Sequence, residues 1–252
     1  MPKILALIPA RMGSSRFPGK PMTLILGKPM IGHVYQNVAE CKLLLDTVVA
    51  TCDTEILDYI ISIGGKAVMT GTHHERASDR CAEALAILEK ENGITYDIVV
   101  MVQGDEPMTR SEMIEESASP LLADSSIVVT NLLGKIESTE EFEDRNCIKV
   151  VCDLQSNALY FSREPIPTRS RSSDITMGKQ VCVISFKRDY LLDYINMPPT
   201  PLEIAESVDM MRILENGHKV KMVPTQYESF SIDVDSDKIK VEQYLSNKAA
   251  KS

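Results

Sequence analysis

The stretch from Ile8 to Pro21 reads Ile-Pro-Ala-Arg-Met-Gly-Ser-Ser-Arg-Phe-Pro-Gly-Lys-Pro. Arg11, Arg16 and Lys20 stand there among glycine and serine, directly after an apolar run at residues 4–8. Fixed cations and free backbone N–H groups on a loop leaving a first strand are how an α/β protein holds a polyphosphate. The same composition also occurs on ordinary surface loops, so the chemistry depends on where the loop is placed. It is not a Walker A loop. Five residues rather than four separate Gly13 from Gly19, and Pro21 stands where a Ser or Thr would meet magnesium. No Gly-x-Gly-x-x-Gly follows a strand, which disfavours a dinucleotide site.

Three further clusters carry chemistry-bearing side chains. Gln103-Gly104-Asp105-Glu106-Pro107 follows the apolar run 98–102. Carboxylates at the C-terminal end of a central parallel strand lie where ligands bind, and Asp105 is placed to hold a magnesium ion on a nucleotide's phosphates. Gly-Asp-Glu-Pro is equally good turn chemistry. In Ser231-Ile232-Asp233-Val234-Asp235-Ser236-Asp237 the two carboxylates at 233 and 235 leave one side of an extended strand, although Asp235 or Ser236 also suits a helix cap. In the segment 72–80, adjacent His73 and His74 diverge and find no third ligand at useful spacing. A polar loop leading into a helix capped by Ser78 is the expectation, with Arg80 in the first turn as a base or phosphate contact.

The elements that must position these groups follow from periodicity. Apolar runs at 4–8, 47–50, 67–69, 98–102 and 127–131 read as strands. Helical patterns at 30–44, 55–63, 78–92 and 111–122 lie between them. This alternation predicts an α/β fold with a doubly wound, mostly parallel sheet. Gly64-Gly65 marks a helix end. After about residue 134 the rhythm changes. Runs at 148–152, 158–161 and 181–186 read as strands without regular crossover helices, and 165–178 is rich in Pro, Arg and Ser. Residues 1–252 therefore read as one domain carrying a small inserted sub-domain over about 134–200. A helix at 201–216, a strand at 219–223 and a final helix at 236–246 complete the prediction.

With 252 residues, 44% of them hydrophobic, the chain can bury a large core. Its net charge of −9 disfavours general nucleic-acid binding but allows a basic pocket for a small anion. Six scattered cysteines form no CxxC or Cys/His cluster and are expected to be reduced and mostly buried. No stretch approaches the ~20 apolar residues of a membrane span. A cytoplasmic, membrane-free protein is the expectation.

In order along the chain, IPARMGSSRFPGKP, GKPMIGHV, VATCDTEI, GGKAVMT, QGDEP, ALYFSREPIP, PTPLE and SIDVDS resemble the 3-deoxy-manno-octulosonate (Kdo) cytidylyltransferases, with acylneuraminate cytidylyltransferases as nearest relatives. The likeness runs from about residue 4 to 244. The Gly-Gly-x-Gly-x-Arg loop of other sugar nucleotidyltransferases is absent. The resemblance implies a nucleotidyltransferase: the C2 hydroxyl of a 2-keto-3-deoxy sugar acid attacks the α-phosphorus of CTP and pyrophosphate leaves. It further implies that Arg11, Ser14, Arg16 and Lys20 cradle the triphosphate. Arg80 and Gln103 place the nucleotide, and Asp105 with Asp235 holds Mg2+, Asp233 being the weaker carboxylate. A homodimer joined through the 148–186 region, and a product destined for lipopolysaccharide or another surface polysaccharide, belong to the same expectation.

Two departures from the family pattern stand on the sugar side. Its His-x-Gly-x-Tyr element, which faces the sugar, is replaced around Gln180 and Cys182, and its Ser-Gly-Thr-x-Arg element reads Arg76-Ala77-Ser78-Asp79-Arg80. Gln180 in place of His points to an acceptor such as 8-amino-8-deoxy-Kdo or another ulosonic acid, because sites built on hydrogen-bond fit discriminate strongly. A non-catalytic nucleotide-binding homologue is the competing class. Retention of Arg11, Lys20, Asp105 and Asp235 argues against it.

Overall fold

The computed structural model describes residues 2–13, 17–171, 175–229, 232, 237–239, 241–243 and 246. In chain order the first half contains β1 (Ile4–Ala10), a 3-10 turn (Lys20–Met22), the hairpin strands β2 (Leu24–Ile25) and β3 (Lys28–Pro29), α1 (Met30–Ala39), β4 (Asp46–Thr51), α2 (Thr54–Ser62), β5 (Ala67–Met69), α3 (Ala77–Asn92) and β6 (Ile98–Val102). The second half adds α4 (Ser111–Ala123), β7 (Val129–Lys135), α5 (Thr139–Glu143), β8 (Lys149–Cys152), β9 (Ala158–Ser162), β10 (Gly178–Lys187), α6 (Arg188–Tyr194), α7 (Pro201–Glu206), α8 (Met210–Glu215) and β11 (Lys221–Pro224).

Nine of these strands form one sheet, ordered β11-β7-β10-β6-β1-β4-β5, with β8 and β9 branching from β10. β1 lies between β4 and β6, parallel to both. Alternate β1 residues feed opposite layers. Ile4, Ala6 and Ile8 join α1, α2 and α4 on one face, while Leu5 and Leu7 join α3 and residues of α6 and α8 on the other. Burial on both faces explains why β1 and β6 are apolar without alternation. The doubly wound α/β expectation is what the chain forms.

β10 runs antiparallel to both β6 and β7. This strand comes from the segment expected to be an inserted sub-domain, yet it lies in the middle of the main sheet, with β8 and β9 as its extension. Other departures are local. α1 stops at Ala39, short of residue 44. β7 begins two residues after the predicted start and runs on to Lys135. The helix predicted at 201–216 is broken into α7 and α8 by Ser207, which adopts a left-handed φ of 52°. Its two halves are stapled by a buried bidentate pair, with Arg212 Nε and Nη2 donating to the Glu203 carboxylate at 2.7 and 2.6 Å. Of the final helix predicted at 236–246, residues 237–239, 241–243 and 246 are described and are helical, and Ile232 and Val241 pack with Ile25, Met30 and Met108 beneath the β2–β3 hairpin.

Candidate active site

The ends of β1 and β6 open into a cleft of about 520 Å³. The loop after β1 is anchored rather than free. Met12 N–H donates to Asp53 Oδ2 at 2.8 Å, and Gly19 N–H donates back to Met12 O at 3.1 Å. Gly19 takes φ +73°, which turns the chain into the short 3-10 segment and aims Lys20 at the cleft. From the other side, Gly104 lets the turn after β6 press against β1. A Cβ there would stand 3.0 Å from Pro9 O and 3.2 Å from Ile31 Cδ1. The two loops meet where Lys20 Nζ lies 2.6 Å from Asp105 Oδ2.

The neighbouring carboxyl has a different character. Glu106 is buried and accepts a hydrogen bond from Ser229 Oγ. Burial, and then the charge of Asp105, push it up to about 7. The two adjacent acids are thus separated in role, one facing the cleft beside a cation and the other closing the turn from behind.

Arg80 lies in the first turn of α3, as the sequence predicts, and is only 2% exposed. Its Nη1 donates to Thr70 Oγ1 and to Gly71 O, while its Nη2 is buried without a partner among the described residues. A buried guanidinium with an unspent donor on a cleft wall is costly unless a ligand acceptor completes it. Gln103 ties β6 to β10 through its backbone N–H to Cys182 O at 3.2 Å, and both residues line the cleft. Arg11 lines it too, with Nη1 donating to His74 O at 3.3 Å. Along β10, Gln180, Cys182 and Ile184 present alternate positions to the same space. Arg11, Lys20, Arg80, Gln103, Asp105 and Gln180 are therefore brought together; Ser14, Arg16, Asp233 and Asp235 lie outside the described residues.

The cleft also recruits residues that sequence reasoning passed over. Arg76, Asn146, Arg163, Ser207 and Asp209 form its far wall. Arg163 is a staple: its Nε donates to Glu206 O at 2.6 Å and its Nη1 to Arg145 O at 3.0 Å. Asp209 is held well above the usual carboxylate range by burial, and it accepts from Ser78 Oγ at 2.8 Å. That bond corrects the expectation for Ser78. α3 begins at Ala77, and the Ser78 hydroxyl is fully buried against Asp209 rather than capping the helix. Behind the wall, Lys149 is completely buried. Its Nζ donates to Asp144 O, Cys147 O and Arg163 O at 2.7, 2.6 and 2.6 Å. Burial lowers its pKa. Arg163 was within reach of the sequence, inside ALYFSREPIP. Ser207 and Asp209 were hidden in what read as one helix.

The six cysteines are free thiols, with Cys41 and Cys81 buried and the others half-buried. Among the described residues, no group of three or more His, Cys, Asp or Glu side chains gathers as a metal cage. No described helix is long and apolar enough to cross a membrane.

The cytidylyltransferase family model matches residues 5–222. The chain belongs to that family. It is 41% identical to 3-deoxy-manno-octulosonate cytidylyltransferase of Geobacter metallireducens, over 97% of this chain and 98% of the relative. It is also 41% identical to the enzyme of the same name from Geotalea uraniireducens, over 96% and 99%. Among solved structures, CMP:2-keto-3-deoxy-manno-octonic acid synthetase complexed with CTP superposes with a TM-score of 0.87 at 33% identity, covering 98% of this chain and 99% of that one. A 4-diphosphocytidyl-2C-methyl-D-erythritol synthase from Anaerococcus prevotii, at 15% identity and a TM-score of 0.65, shares the fold. As a member of this family the chain is a nucleotidyltransferase.

Proposed function

We infer that this cytidylyltransferase activates a 3-deoxy-manno-octulosonate-type acid with CTP, giving the CMP-sugar and pyrophosphate. The observation that carries the reading is the Lys20–Asp105 pair, set at the cleft floor between the β1 loop and the end of β6. The C2 hydroxyl oxygen of the acid forms a bond to the α-phosphorus of CTP as the bond to the pyrophosphate oxygen breaks. Such transfer is chiefly positioning and charge neutralisation. Arg11 and Lys20 offset the charge gathering on the departing pyrophosphate. Arg80 offers its unspent Nη2 to an acceptor on the nucleotide, and Gln103 fixes the seam between the β6 and β10 sides. Asn146 and Arg163 of the far wall, with Gln180 of β10, receive the acid.

Magnesium belongs to this reading. Asp105 offers a hard oxygen donor at the cleft, which suits an ion that takes one or two carboxylates and completes its shell with phosphate oxygens and water. Asp235 is the second ligand expected from the sequence. When bound, the ion supplies neutralisation of phosphate charge. A homodimer through the 148–186 region is also proposed; the exposed Leu154 and Leu159 on the β8–β9 hairpin support it. So are a cytoplasmic location and a role in lipopolysaccharide or another surface polysaccharide. A narrower reading, in which the acid is 8-amino-8-deoxy-Kdo, is favoured by Gln180. CTP-dependent pyrophosphate release with Mg2+, run in parallel on Kdo, its 8-amino analogue and N-acetylneuraminate, tests the reaction and its acid. Release with either octulosonate supports the function and the faster one names the acid; release with none refutes it.

A further inference from the structure

The acid-binding wall contains an amide whose orientation is dictated from behind. Asn131 on β7 is fully buried, and its Nδ2 donates to Leu132 O at 3.0 Å and to Val181 O at 2.7 Å. Both partners are carbonyl oxygens, so this end of the Asn131 amide must be the NH2 group, with both protons spent. Its Oδ1 is then an acceptor, and the Gln180 atom 2.6 Å away must be Nε2. Turning the Gln180 amide over would set two oxygens against each other at that distance. The Gln180 backbone is held as well, by its N–H to Ile148 O at 2.8 Å. The register shift of β10 against β7 between Val181 and Ile184 is the irregularity that Asn131 bridges. This leaves Gln180 Oε1. It accepts from no described residue, it is not among the buried atoms lacking a partner, and its side chain lines the cleft.

We propose that Gln180 is a specificity-determining residue whose Oε1, locked outward by Asn131, accepts a hydrogen bond from a hydroxyl or ammonium group of the acceptor acid. The proposal rests on the acceptor-acid reading above and adds a polarity to it: at this point the wall reads a donor and rejects a group that can only accept.

The test uses the full-length enzyme and octulosonates in which one hydroxyl at a time is replaced by hydrogen, fluorine or an amine. With the unaltered enzyme, one deoxy acid loses about tenfold in kcat/KM, the worth of one hydrogen bond of about 1.4 kcal/mol. The fluoro acid at that position, which accepts but cannot donate, loses as much, and the amine retains activity. The Gln180→Met enzyme raises the KM of the parent acid about tenfold, leaves the KM of CTP within twofold, and no longer distinguishes the parent from that deoxy acid. The inference is overturned if every deoxy acid suffers equally in both enzymes, or if the fluoro acid is as good as the parent. Absence of pyrophosphate release from the unaltered enzyme with every acid would overturn the underlying function, and this inference with it. Release that is indifferent to Gln180→Met overturns the inference alone.

Discussion

Replacing Lys149 by Met removes a charge that never touches the cleft, yet should disable one side of it. The Lys149 ammonium spends its protons on carbonyls of Asp144, Cys147 and Arg163, which bracket Asn146 and include Arg163 itself, two residues of the far wall. Each hydrogen bond to a charged donor is worth about 1.5–3 kcal/mol, so three amount to roughly 5–9 kcal/mol before the ammonium's desolvation is subtracted. That desolvation costs several kcal/mol, which leaves a net loss of about 3–5 kcal/mol, typical of breaking a buried charged network from one side. Methionine fills most of the space but strands the three oxygens. Urea unfolding of Lys149→Met should show that loss. Pyrophosphate-release kinetics should show the KM of the acid raised about tenfold or more, the equivalent of about 1.4 kcal/mol, with the KM of CTP within about twofold. A stability change under about 1 kcal/mol would mean that desolvation cancels the three bonds. An equal rise in both KM values would refute the assignment of Asn146 and Arg163 to the acid's side.

Other perturbations probe the floor and the frame. Asp105→Asn removes the carboxylate beside Lys20 and, on the proposed reading, a ligand of the magnesium that would neutralise phosphate charge; kcat should fall by about 10²–10³, read by pyrophosphate release, with the fold intact by circular dichroism. Gly104→Ala drives a methyl against Pro9 O and Ile31, which should cost about 1–3 kcal/mol in urea unfolding and lower kcat by displacing Asp105 from Lys20. His33, whose pKa burial lowers and whose Nε2 donates to Ile25 O at 2.8 Å, stays neutral in the fold where the unfolded chain would take up a proton. Stability should therefore decline as pH falls below 6.5, and His33→Gln should flatten that decline in urea titrations between pH 7 and 5.

Much of the frame was readable because burial on both faces leaves an unbroken apolar signature. β5 and β6 coincide with the predicted runs at 67–69 and 98–102. Gly64 and Gly93 close α2 and α3 in left-handed conformations that glycine adopts freely. Clusters with unusual local chemistry, the β1 loop and Gln103–Pro107, were also legible because they sit at strand ends. What escaped depended on partners distant in sequence. At Ser207 the helix break is framed by Arg163, whose Nη2 donates to Ser207 O from 44 residues away. Ser78 resembles a cap until Asp209, far along the chain, takes its hydroxyl. The reach of α1 was overread because the apolar residues Leu43 and Leu44 continue the pattern beyond the helix and still pack against the core. The orientation of Gln180 was beyond sequence, as it follows from two carbonyls that only the β10 irregularity brings to Asn131.

The reversed direction of β10 has a genetic consequence. Because β10 enters the cleft by its own N-terminal half, beside the outgoing end of β6, the cleft is built from two different stretches of chain. Arg11, Lys20, Arg80 and Asp105 precede α4, whereas Asn131, Asn146, Arg163 and Gln180 follow it. The antiparallel β6–β10 ladder joins these halves and is continued at the cleft by the Gln103 N–H to Cys182 O, while side chains such as Ser78 and Asp209 bond across them. On the proposed roles, a single crossover within α4 would carry most of the acceptor wall from one homologue to another while leaving Arg11, Lys20, Arg80 and Asp105 in place.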